Sequence, residues 1–147
     1  MPLEVRATPV AQAQIAGLRG PVKKAFTDFT KELAREGCAA VGYRLSGSEV
    51  LERLCVRHLR GLWRVVVCFT DEETAWVTLV AEHVTDPDRN VYDLLYLMIG
   101  HAPEPESGRT KPPCCDEERQ APVAGDEIVE ALTRRTRDVV GRRNGSR

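Results

Sequence analysis

From Leu54 to Phe69 the chain reads LCVRHLRGLWRVVVCF, two apolar arms with Arg60–Gly61 between them. Nothing else in the chain limits its fold as strongly. Val, Cys, Leu, Trp and Phe at such density build pleated strands, and an Arg-Gly step between two such runs reads as a tight reversal. The second arm, LWRVVVCF, is almost continuously apolar, which suits a central strand covered on both faces. A two-residue turn at Arg60–Gly61 pairs Leu59 with Leu62, His58 with Trp63 and Arg57 with Arg64. In that register Arg53, Cys55, Arg57, Arg64, Val66 and Cys68 share one face. Leu54, Val56, Trp63, Val65, Val67 and Phe69 share the other, the expected core side. Like charges opposite each other across a ladder repel, and residues 53–64 hold four arginines, one histidine and no acid. Either the register differs, or an anion sits between Arg57 and Arg64.

The flanking patterns supply the rest of a domain. LEVRA (3–7) reads as a short first strand. AQAQIAGLRG reads as a helix stopped by Gly20–Pro21, and PVKKAFTDFTKELAREG as a second helix with Val22, Phe26, Phe29 and Leu33 at helical spacing. GYRLSGS (42–48) is a strand or turn, LERLCVRHL (51–59) a strand, TDEE (70–73) a polar turn and TAWVTLVAEHV (74–84) a further strand. With an even-numbered TDEE loop, His83 joins Arg64 on its face. VYDLLYLMIG (91–100) closes the unit as a short helix or strand-like segment. The expected fold is therefore α+β: an antiparallel sheet with an N-terminal helical hairpin packed on one face. Five of the nine prolines then fall between Pro103 and Pro122, which predicts a linker without regular structure. Helical character resumes at DEIVEALTRRTRDVVGRR. The expected division is a domain over 1–100, a linker over 101–125, and a C-terminal helix with a basic tail over 126–147.

Charge and cysteines narrow the class. A net charge of −1 gives no overall case for nucleic acid or membrane, so any such case rests on the local arginines. No apolar run approaches the ~20 residues of a membrane span, and MPLEVRATP lacks the pattern of a signal peptide. A cytoplasmic protein with reduced thiols is the expectation. Cys38, Cys55 and Cys68 read as ordinary small side chains and Cys114–Cys115 as an exposed thiol pair. No cysteine or histidine spacing matches a metal pattern, and no cofactor is expected.

The order of these pieces resembles the RelE/ParE superfamily of bacterial toxins from type II toxin–antitoxin pairs. The resemblance covers about residues 3–100. It is carried by the strand leading into TPVAQAQIAGL, the Gly-Pro break into a Phe/Leu helix ending at Gly37, YRLSG, the pair ERLCVRHLRG–LWRVVVCF, and the last strand before NVY. It implies a cognate antitoxin as partner and, for the ribonuclease members, metal-free cleavage of messenger RNA on the ribosome. In that chemistry the 2′-hydroxyl attacks the adjacent phosphate, so cations must hold the phosphate and other groups must move protons. Arg64 matches the family's strand arginine at the scissile phosphate, and Tyr92 a tyrosine near the start of the last helix. Tyr92 and His83 are then the proton carriers, with Arg57, Arg53, Arg60 and Arg89 as phosphate contacts. Two other outcomes stay open on the same scaffold: a ParE-like inhibitor of DNA gyrase, and a non-catalytic binding protein.

Overall fold

A computed structural model describes residues 3–45, 51–84, 90–91, 94–95, 112–124 and 130. The chain forms β1 (Glu4–Ala7), α1 (Pro9–Ala16), α2 (Gly20–Glu36), β2 (Tyr43–Arg44), β3 (Leu54–His58), β4 (Trp63–Asp71) and β5 (Thr74–Glu82). This is the predicted order: a strand, two helices, then consecutive strands.

Local chemistry sets the helix ends. Thr8 caps α1: its Oγ1 accepts from the Ala11 N–H at 3.3 Å and donates to the Thr78 carbonyl at 2.8 Å. Pro9, at the first helical position, gives up no needed donor. The helix therefore starts ahead of AQAQ, the predicted beginning. Helix α2 starts at Gly20–Pro21 and stops at Gly37, whose φ of 62° ends the helical path. Phe26, Phe29 and Leu33 make its buried stripe.

The five strands form one sheet in the order β1-β5-β4-β3-β2. All neighbours are antiparallel except β1 and β5, which run parallel. The helices and three strands intervene between those two, and the chain enters β5 in the direction of β1. Both faces of the sheet are buried. Cys55, Val65, Val67, Phe69 and Val77 pack with Phe26, Phe29 and Leu33 of α2. Leu54, Val56, Val66, Cys68, Leu79 and Ala81 pack with Val91, Leu94 and Leu95 on the opposite side. The continuous apolar run of β4 reflects this double coverage.

The β3–β4 register differs from the expected one by a single residue. Arg57 lies opposite Val65, and His58 opposite Arg64. The reversal is a three-residue loop, Arg60 to Leu62, centred on Gly61: the Leu59 N–H donates to the Trp63 carbonyl and the Trp63 N–H to the Arg60 carbonyl, both at 3.0 Å. Gly61 takes the first central position with φ 57°, a conformation that glycine adopts without cost. A slip of one residue turns every side chain of one arm to the other face. The β4 faces are as expected, but those of β3 are reversed, so Cys55 and Arg57 point toward α2 while Leu54, Val56 and His58 share the Arg64 side. Arg57 and Arg64 do not meet, and the repulsion that called for an anion between them is absent. The β4–β5 turn is two residues long, with Asp71 opposite Thr74 and the Glu73 N–H donating to Asp71 Oδ1 at 2.7 Å.

Residues 112–124, expected within a linker, lie on the domain as an irregular strap. Pro113 bridges to Tyr43 and Val123 to Phe69, and the Ala124 N–H donates to the Phe69 carbonyl at 2.7 Å. Disulfides join Cys38 to Cys115 and Cys55 to Cys114. The expectation of reduced thiols and an exposed Cys114–Cys115 pair is corrected accordingly: Cys114 is buried, and only Cys68 is a free thiol. The cause is spatial. Cys38 lies in the 3-10 turn just after α2 and Cys55 on the β3 face turned toward α2, so the strap meets both sulfurs in one pass. The predicted boundary at residue 100 and the helix over 126–143 fall outside the described residues, apart from helical Glu130.

Candidate functional site

The corrected register assembles a site on the face opposite α2, at the hairpin end of the sheet. Tyr43 of β2 lies opposite Val56, His58 of β3 opposite Arg64 of β4, and Arg64 in turn opposite Ala81 of β5. By alternation Tyr43, Val56, His58, Arg64 and Ala81 all belong to this face. Directly opposed residues have Cβ atoms about 4.5–5.5 Å apart, and His58 and Arg64 are such a pair.

Arg64 is only 9% exposed. Its Nη1 donates to the carbonyls of Gly61 at 2.9 Å and Trp63 at 3.0 Å, bracing the turn. Its Nε is buried without a hydrogen-bond partner, and no carboxylate pairs with it among the described residues. An unsatisfied buried donor costs ~1–3 kcal/mol, a cost that an anion at this face would offset. His58 is exposed at the rim. Its Nε2 lies 3.3 Å from the Tyr43 hydroxyl, and the rings meet edge to face with centroids 5.7 Å apart. The cluster thus combines a cation that does not lose its proton, an imidazole and a phenol. Those are the parts needed to hold a phosphate and move protons without a metal. Among the described residues no group of three His, Cys, Asp or Glu side chains is placed to hold one.

The other expected residues divide. His83 is exposed two residues past Ala81, with its N–H bonded to the Leu62 carbonyl at 2.8 Å, so it lies at the Arg64 end of the sheet. Arg60 is exposed in the turn, and Arg53 is half-buried in a 3-10 turn preceding β3. Arg57 lies on the opposite face. It donates to the Ala40 carbonyl, approaches Glu32 Oε2 to 3.4 Å and places its guanidinium carbon 5.5 Å from the centre of the Phe29 ring. It is a strut between β3 and α2, corrected from the expected arginine cluster. Tyr92 and Arg89 lie outside the described residues. Tyr43 and His58 were missed because the two-residue turn set His58 against Trp63. A loop of three residues reverses one arm's faces relative to a loop of two, and the Arg60–Gly61 step by itself does not distinguish the two lengths.

No helix among the described residues is long and apolar enough to cross a membrane. No family model and no curated protein matches the chain. Among solved structures the chain is similar to one from the RelBE2 toxin–antitoxin complex of Mycobacterium tuberculosis, at 26% identity, covering 56% of this chain and 99% of that chain, with a TM-score of 0.47.

Proposed function

We propose that the chain is the toxin of a two-component pair, held in check by a cognate antitoxin protein, and that it cleaves messenger RNA on the ribosome without a metal. The observation that carries this reading is Arg64, a buried guanidinium with an unpartnered Nε, directly across the ladder from His58. The order of elements that resembles RelE/ParE toxins agrees with it. Arg64 stabilises the charge that grows on the phosphate as the 2′-oxygen attacks. His58 takes the proton of that hydroxyl, and Tyr43 holds the imidazole through the bond to Nε2. The P–O5′ bond breaks, the 5′-oxygen leaves as a hydroxyl with a proton from His83 or solvent, and a 2′,3′-cyclic phosphate remains. Arg60 and Arg53 serve as outer phosphate contacts. The reaction belongs to the cytoplasm, where ribosomes are.

The test is induced expression in a bacterial host whose cytoplasm is oxidising enough to keep the disulfides closed, with mapping of transcript ends. New ends appear with the wild type and vanish with Arg64→Ala and His58→Ala. Damaged DNA with intact transcripts would instead support gyrase inhibition. Unimpaired growth at high expression of the folded protein rules out both.

A further inference from the structure

Strand β2 is only two residues long, yet it carries Tyr43. Its inner edge pairs with β3, Tyr43 opposite Val56 and Arg44 opposite Cys55. Its outer edge is held by the strap: the Arg44 N–H donates to the Pro112 carbonyl at 2.8 Å, and Tyr43 bridges to Pro113. The Arg44 Nε donates to the Cys114 carbonyl at 3.2 Å. Cys114 is in turn bonded to Cys55, the residue opposite Arg44. A covalent bridge therefore passes from β3 to the strap across β2 and clasps it on both sides. A second bridge, Cys38–Cys115, ties the strap to the turn that leads into β2.

We infer that the Cys55–Cys114 disulfide is a redox-set brace on the proposed acid–base pair. When closed it holds Tyr43 against His58; when reduced it releases the strap, and β2 with Tyr43 leaves the site. On its inner edge the Gly42 and Leu45 N–H groups also donate to the Val56 and Leu54 carbonyls, at 3.1 and 2.9 Å; so short a strand is marginal on one edge, and the strap supplies the other. The bridges open in order of access. Cys115 is half-buried and Cys38 is 7% exposed, whereas Cys55 and Cys114 are 0% and 1% exposed. A dithiol reductant attacks the outer bridge first, and the inner one opens as the strap lifts. At each bridge the dithiol gives two electrons and two protons, the S–S bond becomes two thiols, and the dithiol closes to its own disulfide. Oxidation reverses the step. In a reducing compartment the site stands slack, and an oxidising one assembles it.

This rests on the proposed function only for its effect on cleavage, so the primary readout uses no RNA. The imidazole of His58 is titrated by NMR in the full chain, in wild type and Tyr43→Phe, before and after dithiothreitol. In the oxidised protein Tyr43→Phe shifts the His58 midpoint; in the reduced protein the two curves coincide. A Tyr43→Phe shift that survives reduction overturns the inference. So does loss of the whole fold on reduction, since the bridges would then hold the domain and not the pair. Two double variants in oxidised form give a second measurement. Cys55→Ser with Cys114→Ser removes the shift, whereas Cys38→Ser with Cys115→Ser retains it; the reverse result assigns the brace to the wrong bridge. RNA cleavage, read separately, falls on the order of 10²-fold on reduction, the usual worth of a positioned base. An intact NMR response with no cleavage in either state removes the proposed function and leaves the brace standing.

Discussion

Arg57 and Arg64 are two arginines of one hairpin with different work, and single substitutions separate them. Arg57→Ala removes a bond to the Ala40 carbonyl and a stack on Phe29. It is expected to lower stability by ~1–3 kcal/mol, the half-exposed contact to Glu32 adding little. Toxicity and cleavage should be unchanged once expression is matched. Arg64→Ala also loses two carbonyl bonds, but relieves a buried unpartnered Nε, so its stability cost stays within ~1–2 kcal/mol. Its cleavage is expected to fall by a factor on the order of 10²–10³, as when one transition-state donor is removed. Thermal unfolding beside transcript mapping reads both; equal loss of activity in the two variants would contradict the assignment of faces. Cys68 supplies a third residue-level expectation. Burial alone pushes its thiol up to about 12, so it should resist alkylation at neutral pH in the native protein. The folded value lies above the unfolded one, so the contribution is intact below about pH 9 and is lost as pH rises toward about 12. Native-state labelling against pH checks it.

Among the elements, the β3–β4 hairpin decides where the site forms. Its turn depends on Gly61 at φ 57°, where an added Cβ would meet no atom within 4 Å. The cost of a side chain there is therefore backbone strain and not a clash. Gly61→Ala is expected to cost ~1–2 kcal/mol and Gly61→Asn less, because Asn tolerates positive φ better. Denaturant unfolding of both variants measures this, and an Ala variant as stable as wild type would mean the turn has another form. The helices offer a contrast. Leu33 is fully buried on the inner face of α2, and Leu33→Ala should cost ~2–5 kcal/mol through the cavity it leaves. That is more than any substitution at the site, because the site lies at the rim of the sheet while Leu33 sits in its core.

For the molecule as a whole, the strap changes what counts as the domain. Removal of everything after residue 111 deletes both disulfide partners and the cover over Phe69 and β2. Closing loops of 77 and 59 residues is worth up to ~4.5 kcal/mol for the first bridge in the chain-entropy account, and less for the second because the loops overlap. Such a truncation should unfold at markedly lower denaturant than the oxidised full chain, and close to the reduced one. Thiol counting gives a direct check. Unfolded without reductant the protein should show one reactive thiol, and after reduction five, the full number of cysteines; five without reductant would show that the bridges do not form.

Local pattern alone determined the elements. The period-two arms, the Gly20–Pro21 start, and the Phe26, Phe29 and Leu33 stripe act through contacts between near neighbours, and those are written in order along the chain. The face of Arg64 on β4 was legible for the same reason. What lay opposite it was not. Pairing between strands depends on the centre of a reversal, and one residue there exchanges Arg57 for His58 across from Arg64. Tyr43 and His58 become a pair only when β2 is laid beside β3. The cysteines go further: the bonded pairs are 77 and 59 residues apart, and sequence spacing carries no record of which sulfurs approach. Only the closing of the sheet under α2, with the strap drawn across its edge, decides that two pairs of them bond and that the fifth stays a buried thiol.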